Sequence, residues 1–139
     1  MKKMMMTLLV GLFCVGGVMA QGVSFKEDTF NNVLKSADQA KKLVFVDVYA
    51  EWCGPCKFLS ARVFPAKAVV DCINPLVDGT KVDAENGEGV QIASRYSIRS
   101  YPTMLILNSK GEEVGRLVGS SQTPEDFVKR LKAEVAKIK

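Results

Sequence analysis

Apolar side chains recur at Phe30, Val33, Leu34 and Ala37, the i, i+3, i+4, i+7 spacing that lines one face of a helix. Asp28 or Thr29 can cap its start, so the pattern predicts a helix from about Thr29 to Ala40, closed by Lys41 and Lys42. The next segment, Leu43–Tyr49, reads LVFVDVY. Its β-branched and aromatic residues are apolar on both faces, which predicts a central strand buried on both sides. Asp47 is the exception, and burying a carboxylate in such a strand is unfavourable. A tight turn through EWCGPCK, Glu51 to Lys57, follows, and a helix begins inside it, carrying Phe58, Leu59, Val63 and Phe64 up to Pro65.

Further on, Val69, Val70 and Ile73 predict a helix from Ala66 to about Ile73, ending before Pro75. Thr80 to Ala84 reads as a short strand, Asn86, Gly87 and Gly89 as a turn, and Val90 to Tyr96 as a short helix. Met104–Leu107 and Val114–Val118, joined through Asn108 to Gly111, form a β-hairpin. A last helix starts at Thr123, Pro124 and Asp126, with Phe127, Val128, Leu131, Val135 and Ile138 as its buried stripe. Strands alternating with helices and ending in a hairpin plus helix predict an α/β domain with a mixed central β-sheet flanked by helices on both faces.

The chain has 139 residues, enough for one such domain and too short for two ordinary ones. With 47% hydrophobic and 24% charged residues it lies outside the disordered regime. The net charge of +4 is spread along the chain without a basic stripe, so no nucleic-acid partner is expected. There is no histidine, which excludes imidazole-based triads, metal sites and pH switches. Chemistry is left to cysteine, carboxylate, lysine or tyrosine.

Residues 1–20 have the layout of a secretory signal: Lys2 and Lys3, an uncharged run from Met4, and Val18-Met19-Ala20 as a small-residue cleavage site. We expect cleavage near Ala20 and an exported, periplasmic domain over 21–139. An uncleaved membrane anchor is the alternative, since the run sits at the short edge of a bilayer span. Cys14 follows the bulky Phe13, which argues against its acylation. Cleavage removes Cys14 and leaves three cysteines, an odd number that disfavours a framework of structural disulfides only.

Cys53 and Cys56, separated by two residues at a helix start, can close into a disulfide with little backbone movement. The helix amino end would stabilise a Cys53 thiolate, making it the expected nucleophile, with Cys56 the more sheltered, resolving thiol. A c-type haem site would require His where Lys57 stands, and a zinc ribbon lacks its fourth ligand because Pro75 stands where the partner of Cys72 would fall. A static disulfide remains open, although so short a loop restrains little unfolded-state entropy. Cys72, at the edge of an apolar stripe, reads as a buried small hydrophobe.

The segment Val46-Asp47-Val48-Tyr49-Ala50-Glu51-Trp52-Cys53-Gly54-Pro55-Cys56-Lys57 resembles the active-site segment of the thioredoxin family. Lys81-Val82-Asp83 resembles the family's third strand, and Tyr96 to Thr103 its cis-proline loop. The resemblance implies the thioredoxin fold and dithiol–disulfide exchange, with no cofactor and no metal. It implies that Asp47 is the buried carboxylate that exchanges a proton with Cys56, that Lys81 is its strand partner, and that Trp52 borders the docking surface. It implies that Pro102 is a cis-proline facing the disulfide, preceded by Tyr101 where thioredoxins proper carry a smaller aliphatic residue. Together with Gly54 and Pro55 these residues would form the substrate-binding surface. The Gly-Pro spacer implies a reducing poise. The expected protein is a monomer that reduces disulfide-bearing exported proteins and is recharged by a membrane-embedded thiol donor. A disulfide isomerase or oxidase of exported proteins, or a non-catalytic binding module, are the alternative readings.

Overall fold

The computed structural model describes residues 22–139, so the expected signal and its cleavage site lie outside the described residues. Helix α1, Phe30–Ala40, is capped by Thr29, whose hydroxyl accepts from the Asn32 amide, and closes at Lys41 in the left-handed region. Strand β1 spans Leu43–Tyr49. Helix α2, Gly54–Phe58, runs on into a π-helical stretch, Leu59–Val63. Helix α3 covers Lys67–Ile73, β2 Val77–Asp83 and α4 Glu88–Arg95. Strands β3, Thr103–Leu107, and β4, Glu113–Val118, form the hairpin, and α5, Pro124–Val135, starts with Thr123 as cap and Pro124 at the first helical position.

The four strands make one mixed sheet in the order β2-β1-β3-β4, with β1 parallel to β2 and the other pairs antiparallel. Alternation along β1 divides the core. Val44, Val46 and Val48 face α1 and α4, packing with Val33, Ala37 and Ile92. Phe45 faces the other way, into a cluster with Leu59, Val69, Ile73, Phe127 and Leu131 from the α2, α3 and α5 side. Asp47, two residues on, therefore points to the face of Phe45 and α2.

Two boundaries differ from the sequence expectation by more than one residue. Strand β2 begins at Val77, not Thr80, because Asp78 is satisfied inside the fold by Lys26 and Ser36, both at 2.7 Å. Gly79 lets the stretch around Phe25 pack closely, with the Lys26 amide donating to the Gly79 carbonyl at 2.7 Å. Helix α4 begins at Glu88, so Gly89 lies in the helix and not in the preceding turn. A Cβ at Gly89 would come within 1.8 Å of the Asp83 carbonyl oxygen, so glycine here serves close approach of α4 to β2.

Candidate active site

Cys53 and Cys56 are joined by a disulfide across a Cα–Cα separation of 5.3 Å. Cys53 is the cap of α2: its backbone is extended, and its sulfur accepts the Cys56 amide N–H at 3.2 Å. Pro55 within the first turn has no N–H to satisfy, so the spacer favours this start. An amide donor on Sγ stabilises negative charge there, which favours Cys53 as the attacking thiolate. Exposure does not separate the two cysteines, contrary to the expectation that Cys56 is the more sheltered. Cys53 is 2% and Cys56 4% exposed, because both pack with Ala50 under the rings of Tyr49 and Tyr101. Their environments differ in the hydrogen bond.

Gly54 and Pro55 are exposed beside the disulfide. The Tyr101–Pro102 bond is cis, and the Pro102 carbonyl accepts from the Gly119 amide at 2.8 Å. Thr103 secures the loop from the other side, its hydroxyl donating to the Ser100 carbonyl at 2.8 Å. Trp52, 68% exposed, stands edge-on to Tyr101 with ring centres 6.0 Å apart. Its indole N–H donates to Glu85 Oε1 at 2.9 Å. Exposed aromatic surface held by a fixed partner next to a reactive sulfur is suited to docking a peptide chain.

Asp47 is 1% exposed, and among the described residues neither of its carboxylate oxygens has a partner within hydrogen-bond distance. Lys81 is directly across from it in the β1–β2 register, with Nζ 3.6 Å from Oδ2, an ion-pair distance outside hydrogen-bond range. On the β3 side the register partner is the uncharged Met104. Burial pushes the Asp47 carboxyl up to about 6, against the opposing attraction of Lys81. The Lys81 ammonium is itself held by three groups: it donates to the Ser60 hydroxyl and lies 5.1 Å from the Tyr49 ring centre and 5.7 Å from that of Phe25. Burial raises the Tyr49 phenol, helped by the negative charges of Glu51, Asp83 and Asp47.

Sequence reasoning missed Glu85, Ser60 and Tyr49. Ser60 was open to discovery, since it stands at i+4 from Cys56 on the helix the motif begins. Glu85 was not, because its contact with Trp52 is made across the sheet end. A larger groove of about 650 Å³ lies elsewhere, between α3 and α5, and includes Cys72, Leu76 and Val128. It is mainly apolar, and Cys72, expected to be buried, is half-buried at its wall and packs against the edge of the core.

The family model described as Thioredoxin matches residues 21–133. Thioredoxin C-3 of Corynebacterium nephridii is 34% identical over 103 residues, covering 74% of this chain and 64% of its own length. Thioredoxin H1 of Arabidopsis thaliana is 35% identical over 95 residues, 68% of this chain and 77% of its own. The chain spans only 17% of another relative, the thiol:disulfide interchange protein DsbD of Pseudoalteromonas atlantica, at 33% identity over 99 residues. Among solved structures, a candidate disulphide-isomerase from Bacteroides thetaiotaomicron superposes with a TM-score of 0.72 at 45% identity, covering 84% of this chain and 96% of that one. With the sheet order, the closed cysteine pair and the cis-proline loop in place, these matches show that the chain belongs to the thioredoxin family and carries the cysteine pair of a dithiol–disulfide oxidoreductase.

Proposed function

We propose that the protein reduces disulfides of exported proteins through the Cys53–Cys56 pair. The observation that carries this reading is the closed Cys53–Cys56 pair with an amide donor on the Cys53 sulfur; its Gly-Pro spacer supports the reducing direction, and Asp47 lies on the strand that leads into the motif. In the reduced protein the Cys53 thiolate attacks one sulfur of the substrate disulfide. The other substrate sulfur leaves as a thiolate and takes up a proton. Cys56 then passes its proton to Asp47 and attacks Cys53 Sγ; the second substrate sulfur leaves as a thiolate and takes up a proton from solvent, Asp47 returns its proton to solvent, and the protein is left oxidised. A carboxyl raised to about 6 by burial is a stronger base than an ordinary one, which suits it to this transfer near neutral pH.

Each turnover consumes two electrons. Outside the cytosol these must come from a thiol donor, and a membrane-embedded one can carry them across. The signal-like amino terminus supports export. The test is reduction of insulin by the purified dithiol form at neutral pH, expected to proceed and to be lost in Cys53→Ser. The reduction potential against glutathione is expected nearer ~−270 mV than ~−120 mV. A value at the oxidising end would refute the direction.

A second reading, disulfide isomerase, is favoured by Tyr101 at the docking loop and by the likeness to the Bacteroides protein. Reactivation of scrambled ribonuclease without added reductant separates the two.

A further inference from the structure

A pocket of about 280 Å³ opens beside the cysteine pair, lined by Tyr49, Glu51, Cys56, Lys57, Ser60 and Lys81. Its arrangement of charges is unexpected. The Lys81 ammonium has a buried carboxylate 3.6 Å away, with no partner at hydrogen-bond distance for either oxygen among the described residues, yet its hydrogen bond goes to a neutral hydroxyl, Ser60 Oγ. Ionised acceptors bind an ammonium about twice as strongly as neutral ones, so geometry must hold the amine in place. The rings of Tyr49 and Phe25 confine it on two sides, and Ser60 is presented by the π-helical stretch one turn beyond Cys56.

We propose that Ser60 is a positioning residue for the resolving step: its hydroxyl holds the Lys81 ammonium off Asp47 and leaves both carboxylate oxygens open to the Cys56 proton. This rests on Asp47 being the proton acceptor of the proposed function. Without the hydroxyl the partly exposed ammonium has solvent and Asp47 as its acceptors, and a direct bond to Asp47 would favour the charged carboxylate. Asp47 would then hold a proton less well and accept it from Cys56 less readily. The other charged or titratable groups around the site are Tyr49 on β1, Glu51 in the turn, Cys56 and Lys57 on α2, and Asp83 at the end of β2. From β3 the facing residue is Met104. None of these is removed by changing Ser60.

The experiment is a carbon-13 titration of the Asp47 carboxyl by NMR in the oxidised full chain, where the disulfide keeps Cys56 from titrating. Ser60→Ala is compared with Ser60→Thr, each also in a Lys81→Met background. Alanine is a strong helix former, so the helix is retained. One charge-assisted hydrogen bond corresponds to about one to two pH units, or about ten- to a hundredfold in proton affinity. The midpoint is expected to fall by about that much in Ser60→Ala and to be restored in Ser60→Thr. Lys81→Met should raise it, and Ser60→Ala should add nothing in that background. In single turnover, the pH midpoint of mixed-disulfide resolution should move with it. An unchanged or raised midpoint in Ser60→Ala, or an equal fall with Lys81 absent, overturns the proposal. The titration reads a carboxyl and not turnover, so its failure leaves the reductase reading standing, and failure to reduce insulin leaves the titration result standing.

Discussion

Replacing Asp47 with asparagine keeps the size of the side chain and removes its titration. In the folded protein burial holds the carboxyl at about 6 against an ordinary 3.8, so at neutral pH the native state carries a charge that it binds less favourably than the unfolded chain does. At ~1.36 kcal/mol per pH unit, that interval corresponds to a penalty of ~3 kcal/mol. Its pH dependence follows from which state binds the proton. Between about 4 and 6 the native Asp47 is protonated while the unfolded one is ionised, so the native state holds more protons and stability falls as pH rises. Below the unfolded value both are protonated and the penalty vanishes. Above about 6 both are ionised and it is complete.

The asparagine would bury an amide of its own at a cost of about 1–3 kcal/mol, so the absolute change at one pH is a poor test. The difference between the proteins across pH is a better one, because the amide term and every other titrating group cancel. Urea unfolding of the oxidised proteins from pH 3 to pH 8 should show wild type losing ~3 kcal/mol relative to Asp47→Asn. Urea is preferred to guanidinium, which would screen the Lys81 attraction. Parallel stability curves for the two proteins would refute the claim that burial governs Asp47.

Three further outcomes are expected. Iodoacetamide should modify Cys53 in the reduced protein well before Cys56 or Cys72, because Cys53 alone receives the amide of the α2 start; equal rates, by mass spectrometry of the labelled peptides, would remove it as nucleophile. Gly89→Ala should destabilise by about 3 kcal/mol and lower the thermal midpoint on the order of 10 °C, since the new methyl meets the backbone carbonyl of Asp83, which cannot step aside. Tyr101→Ala should raise KM for protein disulfides severalfold while changing turnover of a small aromatic disulfide little, since the ring borders the docking surface with Trp52; the same loss for both substrates would place Tyr101 in support of the cysteines instead.

Most of the fold was legible because local and tertiary demands agree. At α1 and α5 the cap hydroxyls of Thr29 and Thr123 and the apolar stripes coincide, so pattern and structure match within a residue at their starts. They part where a tertiary contact overrides a local signal. Asp78 and Gly79 fall before the expected strand, yet Lys26 pairs with the first, Ser36 donates to it, and the Ser24 carbonyl and Phe25 ring crowd the second. The cysteine pair and Asp47 stood out because each violates its surroundings: a carboxylate in an apolar strand, two thiols around Gly-Pro. Ser60 and Glu85 violate nothing locally. Spacing places Ser60 near Cys56 and gives Glu85 no signal, but the role of each comes from Lys81 and Trp52, which reach them across the fold.

Strand direction explains why those distant pieces meet. Because β1 and β2 run parallel with Tyr49 opposite Asp83, both strands end at the same edge of the sheet, and the segments that follow, Ala50–Cys53 and Ala84–Gly87, emerge side by side. Strand β3 runs against β1 with Thr103 opposite Val48, so it begins at that edge and delivers Tyr101 and Pro102 there. The indole of Trp52 then reaches Glu85 on one side and Tyr101 on the other. Asp47 lies two residues back along β1 from Tyr49, one alternation beneath the surface, and its register partner Lys81 lies equally far back along β2. A shift of one residue in the β1–β2 pairing would leave Asp47 opposite Val82 or Thr80 and bury the charge without a cation. The register that places the docking surface at the strand ends is thus the same one that pairs the buried acid with its lysine.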